Sequence, residues 1–207
     1  MRKLVFFIFL SINCFAETDD SNVSESLTAE DVSVVVISSL ERVLQDEIDV
    51  NGRTKAEIFC AKNEYESFQI IVVNSSEKPV SNVNLKTGNW QFTGTPGEGS
   101  PVLTLYREHY VEIKKPSYLL KSRTGMYPDA LIPFVNPYTG RKITDAKYQA
   151  ADCTVMPRKS QGYWVDIYVD VNVKPGVYTN EIIILSGDKE ITQIPINLTV
   201  WDFELPK

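Results

Sequence analysis

Tyr118, Tyr127 and Tyr138 fall in one stretch rich in proline, glycine and lysine or arginine, residues 114–162, with Asp129, Asn136 and Asp145 near them in sequence. An exposed aromatic face stacks on the apolar face of a sugar ring, and neighbouring carboxylates or amides take its hydroxyls. These residue types point to glycan contact through Tyr118, Tyr127, Asp129 and Tyr138. The same residues admit a second reading, in which they pin a long loop to the body of its own domain or to a neighbouring one. A stretch this long without regular structure is usually functional or an interface.

Other chemistry is sparsely provided for. His109 is the single histidine, so no multi-histidine metal centre can be built, and a Ser-His-Asp triad would have to use it. It stands between Glu108 and Tyr110 with the parity of Leu103, Leu105, Val111 and Ile113, which predicts an inward-facing strand residue, and no G-x-S-x-G elbow accompanies it. Asp46-Glu47 is an adjacent carboxylate pair, but a glycosidase must hold two carboxyl groups across one bond, which adjacency on a loop does not achieve. The pair is read as a solvated turn. Gly94, Gly97 and Gly99 lack the strand-to-helix context of a phosphate cradle and read as a surface loop. No cofactor and no metal site is expected.

The elements that must position these residues repeat with a period of two. Val32 to Ile37 is a β-branched run, Phe68, Ile70 and Val72 alternate with Gln69 and Ile71, and Val165, Ile167, Val169, Val171 and Val173 oppose Asp166, Tyr168, Asp170 and Asn172. The last case predicts a half-buried strand over 164–173 with one wet face. Ile194, Ile196, Leu198 and Val200 repeat the pattern. Lys174-Pro175-Gly176 fits a type II turn, and Gly187-Asp188 fits a hairpin turn. Only Ser39 to Glu47 offers one or two helical turns. Strands about ten residues apart without helices predict an all-β antiparallel sandwich, Ig-like or jelly-roll-like, with 114–162 as one long irregular insertion.

At the N-terminus, Arg2 and Lys3 precede the apolar run Leu4 to Leu10, and small residues flank the junction before Glu17. This predicts a cleavable signal peptide over 1–16 and an extracytoplasmic, secreted protein. Lipid anchoring at Cys14 is the alternative, which Ser11, Ile12 and Asn13 fit poorly. The run is too short to span a bilayer, and no other segment has that length. Residues 17–31 carry six acids and no base, which predicts a disordered acidic leader ahead of a sandwich domain over 32–207. The formal net charge is −6, yet residues 32–207 alone carry only −2. A nearly neutral body without a basic patch excludes a nucleic-acid partner. Hydrophobic types make up 43% of the chain, enough for a real core. Cys60 and Cys153 of an exported protein either form one disulfide or remain two buried thiols. Asn22, Asn74 and Asn197 begin N-glycosylation sequons.

Several segments together resemble one family. They are Ala61-Lys62-Asn63-Glu64-Tyr65-Glu66-Ser67-Phe68-Gln69, Tyr127-Pro128-Asp129-Ala130-Leu131-Ile132-Pro133, and Tyr163-Trp164-Val165-Asp166-Ile167-Tyr168-Val169, followed by Lys174-Pro175-Gly176-Val177-Tyr178-Thr179 and Val200-Trp201-Asp202-Phe203-Glu204-Leu205-Pro206. In this order they resemble the N-terminal β-sandwich of glycoside hydrolase family 123 and related secreted proteins with the domain of unknown function 4091. The usual glycine of the fourth motif is Asn180 here. The resemblance implies a sandwich that precedes a (β/α)8 barrel, and a family that removes β-linked N-acetylgalactosamine with help from the substrate's acetamido group. It implies that the adjacent Asp-Glu pair for that chemistry lies on the barrel, so Asp46-Glu47 does not correspond to it and no catalytic residue carries over. The implied role is a non-catalytic accessory domain whose partner is the barrel. The alternative is a free-standing carbohydrate-binding or adhesion module whose partner is a glycan.

Overall fold

The computed structural model describes residues 31–94, 97–115, 123–143 and 145–206. The expected signal peptide, Cys14, the leader up to Glu30, and Tyr118 lie outside the described residues. The described chain forms eleven strands: β1 (Val32–Ser38), β2 (Ala56–Lys62), β3 (Glu64–Asn74), β4 (Val80–Thr87), β5 (Gln91–Phe92), β6 (Val102–Ile113), β7 (Gly125–Pro133), β8 (Cys153–Val155), β9 (Lys159–Val169), β10 (Gly176–Ser186) and β11 (Lys189–Glu204). They make a β-sandwich. One sheet, A, has the order β1-β3-β9-β6-β7, and the other, B, has the order β2-β11-β10-β4-β8, with β5 also on β10. Pairing is antiparallel apart from β2 with β11, which run parallel.

Alternation decides the core. Phe68, Ile70 and Val72 of β3 and Val165, Ile167 and Val169 of β9 share one buried cluster with Ile182 and Ile184 of β10 and Ile194, Ile196, Leu198 and Val200 of β11. Each such side chain contributes roughly 1.5–3 kcal/mol by leaving water. Ile71 and Val73 point the other way and are also fully buried, because Val43, Ile48 and Val50 of the β1–β2 connection cover them.

Asn63 alone separates β2 in one sheet from β3 in the other. Its φ of 60° lies in the left-handed region, where asparagine is tolerated better than branched or bulky residues. Its backbone N–H donates to the Val169 carbonyl (2.6 Å), its Nδ2 donates to the Leu205 carbonyl (2.9 Å), and its Oδ1 accepts from the Tyr168 hydroxyl (3.3 Å). Glu64 turns its carboxylate back to accept from the Ala61 N–H at 2.6 Å. The Asn-Glu pair is thus the corner that lets the chain change sheets.

Three local expectations are corrected. Residues 39–47 form no helix: the Gln45 N–H donates to Met126 (3.1 Å) and the Gln45 carbonyl accepts from Ser160 (2.8 Å), so neighbouring strands satisfy this backbone. Residues 114–162 are not one irregular insertion. They contain β7, β8 and the start of β9, and Pro128 and Pro133 are accommodated because β7 is an edge strand with a register shift opposite His109 and Tyr110. The strand expected over 164–173 ends at Val169, and a turn closed by Val173 N–H to the Asp170 carbonyl (3.0 Å) follows.

The turns fare better. Gly187, with φ 59°, joins β10 to β11 as a hairpin, and Gly176 has φ 139°, positive but more extended than in a type II turn. The Tyr178 hydroxyl donates to the Lys174 carbonyl (2.9 Å), tying that turn to the strand it starts.

The disulfide alternative is also corrected, since both cysteines are free. Cys60 lies on β2 and Cys153 on β8, opposite edges of sheet B. Four strand spacings place them roughly 19 Å apart along the sheet, far beyond disulfide reach. The Cys60 thiol points to the Glu64 carbonyl (3.7 Å), and the Cys153 sulfur sits 2.9 Å from the Tyr163 hydroxyl. Burial pushes the Cys60 thiol up to about 12, so it remains protonated and inert. Asn74 is fully buried, its Nδ2 donating to the carbonyls of Lys78, Val155 and Met156, so that sequon serves the fold and not a glycan.

Replacing Asn63 by alanine removes the side-chain bonds and strains the corner. The expected loss is about 2–3 kcal/mol in urea unfolding with an unchanged slope. Asn63→Gly should recover part of it, because glycine relieves the backbone but not the lost bonds.

Candidate functional site

The outward face of sheet A is a register-fixed grid on three adjacent strands. Tyr65 of β3 pairs with Tyr168 of β9, which pairs with Val102 of β6; Ser67, Asp166 and Thr104 form the next row, and Gln69, Trp164 and Tyr106 the third. The same alternation that sends the valines of β9 inward places Trp164, Asp166 and Tyr168 here. The Tyr65 and Tyr168 rings stack with centroids 4.5 Å apart, and Tyr65 is 67% exposed. Asp166 accepts from the Ser67 hydroxyl (2.7 Å) and from the Trp164 indole N–H, which fixes the indole orientation. Burial, and then the charge of Asp166, raises the Tyr106 phenol above its ordinary value.

The next row holds Ile71 and Gly162, with Glu108 beside them. A Cβ at position 162 would overlap the Glu108 carboxyl, which occupies the space the glycine leaves. The Gly162 N–H donates to the Tyr110 hydroxyl (3.1 Å). Glu108 is only 3% exposed, and its Oε2 has no hydrogen-bond partner among the described residues. Burial pushes its carboxyl up to about 7.

Here the 39–50 connection and β7 rise on either side and form a cleft of about 330 Å³. Gln69, Glu108 and Trp164 supply its floor, Ser39, Glu41 and Arg42 one wall, and Pro128, Asp129 and Leu131 the other. Gln69 holds the first wall down by donating to the carbonyls of Ser38 (2.7 Å) and Glu41 (2.9 Å). The walls are also tied to one another: Arg123 donates to both Asp46 oxygens and to Glu47, each at 3.0 Å. Asp46-Glu47 is therefore a half-exposed ion-pair clamp. The bond from Arg123 holds the Asp46 carboxyl below its ordinary value.

The structure separates the residues singled out by the sequence. Asp129 is exposed on the cleft wall. Tyr127 is half-buried on the same strand; its hydroxyl donates to the Arg123 carbonyl (2.7 Å) and its ring lies 6.0 Å from the Arg42 guanidinium. Tyr138 is 95% exposed on a turn capped by Asn136, beyond the far end of β7. About 20 Å of strand separates Tyr127 from Pro133, so Tyr127 and Tyr138 cannot form one stacking platform. His109 is half-buried and packs against Tyr148, with ring centroids 4.5 Å apart. Among the described residues no group of three potential ligands could hold a metal ion, and no helix is long and apolar enough to cross a membrane.

Glu108, Trp164, Asp166 and Tyr168 are cleft or wet-face residues that the loop composition does not mark for binding. Their signal was present: aromatic residues on the wet face of a strand, and a glycine in mid-strand at 162, which marks close approach by another group.

No family model matches the chain, and no curated protein matches it. Among solved structures, a family 123 glycoside hydrolase from Clostridium perfringens, described in work on glycolipid glycan hydrolysis, is similar at 16% identity with a TM-score of 0.61. The match covers 85% of this chain and 28% of that one, so the present sandwich spans under a third of the hydrolase. At that identity the likeness establishes the fold. The N-terminal domain of PorA (TM-score 0.34, 9% identity, 83% of this chain and 99% of that one) and the enterotoxigenic E. coli adhesin CfaE (0.33, 12%, 86% and 50%) are more remote.

Two outcomes are expected from the Glu108 environment. Gly162→Ala should destabilise the fold by about 1–3 kcal/mol through overlap with Glu108, and Glu108→Ala in the same chain should relieve it. Because the folded carboxyl titrates near 7 and the unfolded one near 4.5, the unfolded chain loses its proton first as pH rises. Stability from this group is full below pH 4.5 and declines toward 7, by up to about 3 kcal/mol. Urea titrations across that window should show the decline in the native protein and a flatter profile in Glu108→Gln.

Proposed function

We propose that this chain is the N-terminal accessory β-sandwich of a secreted glycoside hydrolase of the β-N-acetylgalactosaminidase type. It is not itself catalytic and packs against or rims a C-terminal (β/α)8 barrel. One observation carries the reading: the fold match takes in 85% of this chain but 28% of a family 123 hydrolase, so in that protein a sandwich of this kind is one part of a larger enzyme. The ordered motif resemblance supports it independently.

The surface chemistry also suits a docking role. Phe59, Trp201 and Phe203 are 54%, 44% and 50% exposed. Trp201 stacks between the other two, with centroids at 6.2 and 5.6 Å, where β11 leaves the sandwich. Exposed stacked aromatics are the composition of an interface core. The hydrolysis itself needs one carboxyl group to polarise the substrate amide and another to protonate the leaving oxygen, both lining one rigid pocket. In this chain the adjacent carboxylates Asp46 and Glu47 are both held by Arg123, so they do not supply that pair.

The coding sequence beyond Lys207 tests the reading, with a continuing frame of barrel pattern expected. The purified chain should show no turnover of an aryl β-N-acetylgalactosaminide; measurable turnover would overturn the accessory role. Trp201→Ser with Phe203→Ser should leave the melting temperature of the chain within about 2 °C. The pair should abolish its association with a barrel supplied in trans.

A further inference from the structure

The cleft on sheet A has features that a docking role does not use. Its walls carry one guanidinium, Arg42, and two carboxylates, Glu41 and Asp129, while an indole and an amide share the floor with Glu108. Donors and acceptors so close together suit a ligand whose groups both donate and accept, as hydroxyls do. A purely cationic ligand would meet Arg42, and a purely anionic one would meet the carboxylates. Glu108 is 97% removed from solvent by its 3% exposure, and one of its oxygens has no partner among the described residues. Such a group is rare in a folded protein unless something satisfies it. Oε2 lies against Gly162, and Glu108 also lines the cleft, so a donor entering there meets its carboxyl. Adjacent to the floor, Tyr106 pairs with Trp164, and the Tyr65–Tyr168 stack lies two rows further along the same face.

We propose that this cleft binds one pyranose residue of a glycan. The ring packs on Trp164, its hydroxyls donate to Glu108 and Asp129, and Arg42 donates to a ring or hydroxyl oxygen. The volume of about 330 Å³ suits a single sugar. Further residues of the glycan run over Tyr106 toward Tyr65 and Tyr168. Asp129 thus contributes to glycan contact from the sheet-A cleft, not from a loop platform with Tyr138. The inference rests on this face alone and is independent of the proposed docking through Phe59, Trp201 and Phe203.

The three tryptophans give three indole N–H signals in a proton–nitrogen correlation spectrum. Titration of the protein with methyl glycosides, including those of galactose, glucose and their 2-acetamido forms, should shift the Trp164 signal saturably with at least one of them. The Trp90 and Trp201 signals should stay in place. Glu108→Gln should weaken that binding roughly tenfold or more, and Asp129→Asn, on an exposed wall where the fold is indifferent, about threefold. Both variants should keep the dispersed spectrum of the native protein. The proposal is overturned if no methyl glycoside moves Trp164, if the shifts appear at Trp201 instead, or if butylammonium moves Trp164 while the sugars do not. Unchanged affinity in Asp129→Asn together with Glu108→Gln overturns it as well.

Discussion

The covering of sheet A on its outward side controls most of what this molecule offers. Ile71 and Val73 face away from the sandwich core, and two β-branched side chains cannot be left in water on a central strand without loss of several kcal/mol. The 39–50 connection resolves this by folding back over them, with Val43, Ile48 and Val50 turned inward and Gln69 gripping its backbone. Because the connection stops short of the Tyr65 end, sheet A is buried on both faces at one end and wet on one face at the other. The cleft lies at that boundary.

Several polar groups that resemble chemistry are components of this arrangement. Asp46 and Glu47 clamp Arg123, joining the connection to β7 across the cleft. Asn63 and Glu64 turn the chain from one sheet to the other, and Asp166 orients Trp164. The motifs that resemble family 123 are therefore largely the corners and braces of a sandwich. That is why they signal an architecture. Glu108 differs from them, since it is buried with one oxygen that has no partner among the described residues.

Much of the fold was legible because alternation is a local signal. The inward valines of β9, the repeat in β11 and the Gly187-Asp188 hairpin were all apparent from spacing. The irregular insertion was misread because Pro128, Pro133 and Gly125 depress any strand signal, and only an edge position makes them acceptable. The helical reading of residues 39–47 failed for a related reason. Their backbone bonds go to Met126 and Ser160, distant in sequence, and no local pattern records such partners. The candidate site was less legible. Asp129 stands in the sequence beside tyrosines that share its stretch of chain, and Tyr138 does not share its location.

By itself the sequence determined the class of fold, the inward and outward parity of the long strands, the near-neutral charge of the body and the lack of histidine for a metal centre, since each follows from composition or from a period of two. The tertiary structure alone decided which wet face matters. Register brings Gln69, Trp164 and Tyr106 into one row from three separate strands, and the absence of a Cβ at Gly162 makes room for Glu108. Those relations span tens of residues along the chain, and they exist only once strand pairing has fixed who stands opposite whom.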